Sequence, residues 1–210
     1  MNNILKIVNN YYTQKILTHG ANHLGVDWNS EESQNLRFQE IARIIEKPTC
    51  TLNDYGCGYG GFYDYLIKKK YKISSFHGYD ISKEMIMNAK QLHRVAHNTR
   101  FHILKNTGRH EMILCDYTVA SGIFNLKFEF KESIWLPYVL QTLDLMDNCS
   151  EHAFSFNMLT KYSDREFMKP HLYYADPMFF FDYCKRHYSK NVAVLHDYNL
   201  YEFTILVRKK

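Results

Sequence analysis

Apolar and polar positions follow two different rhythms along this chain. Helical spacing opens it, with Ile4, Leu5, Ile7, Val8, Tyr11, Tyr12, Ile16 and Leu17 on one face of a helix over Ile4–Leu17. A glycine-punctuated loop, Thr18 to Trp28, follows. Asn29 or Ser30 can then cap a second helix that runs to about Glu46 and stops before Pro48. From Cys50 the rhythm changes to short apolar runs separated by helical segments. Strands are predicted at Cys50–Asn53, Ser75–Tyr79, Arg100–Lys105, Met112–Ala120 and His152–Asn157. Helices are predicted at Phe62–Lys70, after a Ser82 cap, and at Ile134–Met146. A helix restarts at Asp176-Pro177 and runs to His187; Asn191–Leu195 and Glu202–Val207 then alternate as a closing hairpin. This succession predicts an α/β fold.

The 210 residues predict one domain, 1–210, with residues 1–47 as a helical cap and 48–210 as the α/β core. The long polar connection 158–177 reads as an insert at the strand ends, where such folds place specificity. With 17 Tyr and 14 Phe, the core or a cleft is expected to be rich in rings. No apolar run approaches the ~18 residues needed to cross a membrane, and the N-terminus lacks the features of a secretory signal, so a cytoplasmic location is expected. Five scattered cysteines without a C-x-x-C pair disfavour zinc or a disulfide frame. His19/His23 and His93/His97 sit four apart but lack the Glu of H-E-x-x-H, so no metal is expected. The net charge of +4 comes partly from Lys68-Lys69-Lys70 and Arg208-Lys209-Lys210 and makes no basic stripe, which disfavours nucleic acid as a partner.

The chemistry-bearing stretch is Leu52-Asn53-Asp54-Tyr55-Gly56-Cys57-Gly58-Tyr59-Gly60-Gly61. Its glycines permit close approach of backbone N–H groups to a ligand. Gly56, Gly58 and Gly61 satisfy G-x-G-x-x-G, while Asp54, Gly56, Gly58 and Gly60 satisfy D-x-G-x-G-x-G. Charge separates the two. A carboxylate two residues before the first glycine repels a dinucleotide pyrophosphate but attracts an ammonium or sulfonium. Asp80, ending the next strand, is placed to accept ribose hydroxyls in either case. The pattern from about Thr49 to Asn125 resembles the S-adenosylmethionine (SAM)-dependent methyltransferases of the Rossmann-like class, some of them small bacterial enzymes associated with surface polysaccharide.

That resemblance implies a seven-stranded, mostly parallel sheet with a C-terminal β-hairpin and helices on both faces. It implies SAM as cofactor, S-adenosylhomocysteine as product, and a cofactor site of Asp54, Tyr55, Gly56, Gly58, Gly60, Asp80, Ile81, Met85, Asn106 and Ser121, with Arg37 holding the SAM carboxylate. Asn106 stands where the family often has an acid. Trp28, Asn125 and Tyr173 are the expected substrate contacts, and His171 and His196 the candidate bases, with His19 behind them. The segment Ala120-Ser121-Gly122-Ile123-Phe124-Asn125 is unlike the N-P-P-Y signature of amino-group methyltransferases, which points to a small-molecule or glycan-precursor acceptor methylated at oxygen. The competing readings are an RNA methyltransferase, a nicotinamide oxidoreductase using the G-x-G-x-x-G register, and a catalytically inactive binding protein of the same fold.

Overall fold

A computed structural model of the chain describes residues 2–105 and 112–209. The helices are α1 (Asn2–His19), α2 (Glu31–Ala42), α3 (Gly61–Lys68), α4 (Lys83–Leu92), α5 (Glu132–Asn148) and α6 (Pro177–His187). The strands are β1 (Cys50–Tyr55), β2 (Ile73–Asp80), β3 (Thr99–Ile103), β4 (Cys115–Ala120), β5 (Ser150–Leu159), β6 (Asn191–Leu195) and β7 (Glu202–Arg208). They form one seven-stranded sheet in the order β3-β2-β1-β4-β5-β7-β6. Strands β1 to β5 run parallel, and β7 is antiparallel to both β5 and β6.

Local chemistry explains where the elements begin and end. Ser30 caps α2, its side chain accepting from the Ser33 N–H at 3.1 Å, and so takes the role for which Asn29 also qualified. Ser82 caps α4 in the same way through Met85. The second helix stops at Ala42, short of Glu46, because Ile44 and Ile45 close tighter turns and the Glu46 and Lys47 N–H groups donate to the Tyr117 hydroxyl on β4. Strand β4 starts at Cys115 and not at Met112: Ile113 and Leu114 are exposed ahead of it, and the Ile113 carbonyl is taken by the Asn53 amide at 2.8 Å.

The sheet is covered on both faces, as parallel strands require. One core packs Trp135, Phe154, Phe156 and Phe180 against α1, α5 and α6; the other packs Phe38, Leu52, Phe62 and Phe76 against α2, α3 and α4. Chain order reverses at β1: the chain steps outward to β2 and β3, then returns to place β4 on the other side. Such a reversal opens a crevice at the carboxyl ends of the two central strands. Among the described residues no helix is long and apolar enough to cross a membrane.

Candidate active site

The crevice is built on the glycine turn after β1. Gly56, Gly58 and Gly60 have φ of +81°, +54° and +90°, a region that L side chains rarely adopt. A Cβ at Gly56 would stand 2.3 Å from Ile123 Cγ2, and one at Gly60 would stand 2.6 Å from His93 Nε2. The turn is tied to the end of β2. Gly56 and Cys57 donate to the Tyr79 carbonyl at 2.7 and 3.0 Å, and Gly58 donates to Asp80 Oδ2 at 2.9 Å. Asp80 Oδ1 accepts from the Ser82 N–H at 2.8 Å. Asp80 therefore clamps the loop and opens α4 while still lining the cleft.

Two acids dominate the electrostatics of this cleft. Asp54 is 3% exposed, and burial, helped by the nearby Asp80 charge, pushes its pKa up to about 8. Asp80 is also raised, burial outweighing the N–H groups of Ser82 and Gly58. Among the described residues the lining contains no Lys, Arg or His. Ser121 Oγ is buried at the mouth of β4 without a hydrogen-bond partner. An acid pair, an unpartnered hydroxyl and a backbone cradle suit a cationic nucleoside; they leave a pyrophosphate with no counter-charge.

A second cavity of about 1030 Å³ adjoins the first and shares Tyr12, Val26, Trp28 and Gly122 with it. Trp28 is the partition. Its ring edge fills the space a Cβ on Gly122 would need, 2.4 Å away, and its face carries the Arg37 guanidinium at 4.0 Å. Arg37 in turn grips Glu202 on β7, with Nε at 2.8 and 2.9 Å from the two carboxylate oxygens and Nη2 at 2.7 Å from Oε1. Asn157 on β5 joins this buried pair to the partition: Nδ2 donates to Glu202 Oε2 at 2.8 Å, and Oδ1 accepts from the Gly122 N–H at 2.7 Å.

No family model matches the chain. A protein of Mycobacterium tuberculosis (strain ATCC 25618 / H37Rv), provisionally named methyltransferase Rv1506c, is 46% identical over 159 residues, which is 76% of this chain and 93% of the relative. The chain belongs to the SAM-dependent methyltransferases. The fold agrees. The magnesium protoporphyrin IX methyltransferase of Synechocystis PCC 6803, solved with bound S-adenosylhomocysteine, superposes with a TM-score of 0.69 at 12% identity, covering 98% of this chain and 99% of the other. DhpI in complex with S-adenosylhomocysteine gives 0.63 at 10% identity over 94% and 92% of the two chains.

In this methyltransferase the expected site residues divide among several places. Asp54, Tyr55, Gly56, Gly58, Asp80, Ile81, Met85 and Ser121 all line the first cleft, while Gly60 lies behind it against His93. Asn106 lies outside the described residues. Arg37, Asn125 and His171 line the second cavity, and Trp28 lines both. Tyr173 points into the core beside Trp135, and Tyr174 lines the cavity in its place. His196 is exposed at the end of β6, packed on Tyr162 and Phe203, and lines neither space. Sequence reasoning passed over Gln34, Tyr12, Asp27 and Glu202. Gln34 and Tyr12 carried a signal, the first sharing a helix face with Arg37 and the second standing on the apolar face of the opening helix.

Proposed function

We propose that this methyltransferase transfers the methyl group of SAM to an oxygen of a small acceptor, a small molecule or glycan precursor, held in the larger cavity. The observation that supports this most is that the two spaces adjoin, sharing Tyr12, Val26, Trp28 and Gly122, so that a donor in one and an acceptor in the other would be neighbours. A cavity of about 1030 Å³ lies at the upper end of the range of small-molecule sites. Two of its three cations are already neutralised, Lys15 by Asp27 at 2.6 Å and Arg37 by Glu202, so it offers little to a polyanion such as RNA.

Bound SAM supplies an electrophilic methyl group on a sulfonium whose departure leaves a neutral thioether. The protein's part is alignment, with proton removal where the acceptor is a hydroxyl. Asp54 would face the cationic arm and Asp80 the ribose, with Ile81 and Met85 against the base. On the acceptor side Asn125 uses Oδ1 to hold the Leu159 N–H at 3.2 Å, leaving its Nδ2 for an acceptor oxygen. His171, which lines this wall, would take the proton of a hydroxyl acceptor.

Incubation with methyl-labelled SAM and a panel of nucleotide sugars, simple glycosides, phenols and RNA, analysed by mass spectrometry, tests the assignment. Label on an oxygen of a small acceptor is the expected result; label in RNA alone overturns it. Asp80→Ala should weaken SAM binding by about 1–3 kcal/mol through the lost charged hydrogen bonds. Calorimetric titration that finds the affinity unchanged would remove Asp80 from the site.

A further inference from the structure

The amino-acid arm of SAM carries a carboxylate, yet among the described residues no cation lines the cofactor cleft. Arg37 has the right charge and the wrong place: it lines the neighbouring cavity, with Nε and Nη2 spent on Glu202. Gln34, one turn earlier on α2, does line the cleft and is 5% exposed. Its Oε1 accepts from the Tyr59 hydroxyl at 3.3 Å. Among the described residues its Nε2 donates to no protein acceptor. Ser121 Oγ, at the end of β4 in the same lining, is likewise without a partner. Ser121 Oγ is buried and forgoes a hydrogen bond until a ligand supplies one, while Gln34 Nε2 opens onto the cleft with no protein acceptor among the described residues.

We propose that Gln34, oriented by Tyr59 and assisted by Ser121, receives the methionyl carboxylate, and that Arg37 serves the acceptor cavity. This rests on the cleft being the SAM site. Its chemistry follows from the donor: the ammonium goes to the acid Asp54, and the carboxylate is read by neutral donors because a guanidinium there would compete for the same acids. The cap helix α2 thus senses the amino-acid arm of the donor and not its adenosine.

The test compares S-adenosylhomocysteine with 5′-methylthioadenosine, which shares the adenosine and the sulfur but lacks the amino-acid arm. Calorimetry on the full chain is expected to show Gln34→Leu weakening S-adenosylhomocysteine about tenfold, the equivalent of ~1.4 kcal/mol, with methylthioadenosine within twofold of the parent. Gln34→Glu, which sets a carboxylate against a carboxylate, should weaken S-adenosylhomocysteine further and again spare methylthioadenosine. Equal losses for both ligands, or no loss for S-adenosylhomocysteine, would overturn the assignment. If the parent protein binds neither ligand, the location of the cofactor site fails instead. A thermal melt of each variant separates lost folding from lost binding.

Discussion

Glu202→Ala is expected to lower the unfolding free energy by about 3–5 kcal/mol, as is usual when one partner of a buried ion pair is removed. The Glu202 and Arg37 side chains are 1% and 9% exposed, and three nitrogen–oxygen contacts at 2.7–2.9 Å join them. Without the carboxylate the guanidinium keeps its charge, because arginine does not deprotonate in a protein. It would stay buried under Trp28 with Nη1 already unpartnered. The damage spreads: Asn157 Nδ2 loses its acceptor, and the Asn157 amide that holds the Gly122 N–H is freed to turn. Urea unfolding measures the loss. Replacing both partners by methionine should restore most of the stability, since an apolar pair of similar volume leaves no stranded charge. A loss below about 1 kcal/mol for Glu202→Ala would mean that water reaches the pair. Neither Arg37 nor Glu202 lines the cofactor cleft, so any effect of the variant on S-adenosylhomocysteine would pass through Trp28 and Gly122, which do.

That pair marks the boundary of what the chain discloses before it folds. The cofactor half of the site was legible because its demands are local. A turn with positive φ at three alternate positions requires glycines at fixed spacing, and the two acids sit at the ends of adjacent strands whose apolar runs are visible. The closing hairpin was legible for the same reason, from alternation in two short runs. The acceptor half is assembled across distance. Arg37 and Glu202 are separated by 165 positions, and no periodicity links them. Gln34 and Arg37 share a face of α2, but the partition made by Trp28 runs between them, so one serves each space. Tyr173 and Tyr174 were equivalent as letters. In the structure, backbone pairing of Tyr173 N–H with the Asn125 carbonyl turns one ring into the core and leaves the other in the cavity. His196, a candidate base, follows β6, whose carboxyl end lies on the same side of the sheet as those of β4 and β5. The order β5-β7-β6 nevertheless inserts a whole strand between it and the centre, an extra separation of about 4.8 Å.

Asp54→Asn is expected to give opposite results for stability and for binding, and the sign of each follows from one pKa. The Asp54 carboxyl is pushed up to about 8 by burial and by the Asp80 charge, against ~3.9 in an unfolded chain. Between those values the folded protein holds a proton that the unfolded chain has released. The stability that Asp54 contributes is therefore greatest below pH ~4, declines as pH rises through the window, and is lost above about 8. Asparagine never ionises and escapes the decline. At pH 9 the ligand-free variant should exceed the parent by at least ~2 kcal/mol, or roughly 4–8 °C in melting temperature, and the gain should shrink steadily toward pH 5. SAM reverses the balance, because its cationic arm favours the ionised carboxylate. Below about pH 8 the parent must lose the Asp54 proton as SAM binds, so affinity should climb with pH up to that value and level off. Calorimetry at pH 7 in buffers of different ionisation enthalpy should register about one proton released per SAM bound by the parent and none by Asp54→Asn, whose affinity should fall at least tenfold. A parent that binds SAM without releasing a proton would show that the ligand's positive charge lies elsewhere than beside Asp54.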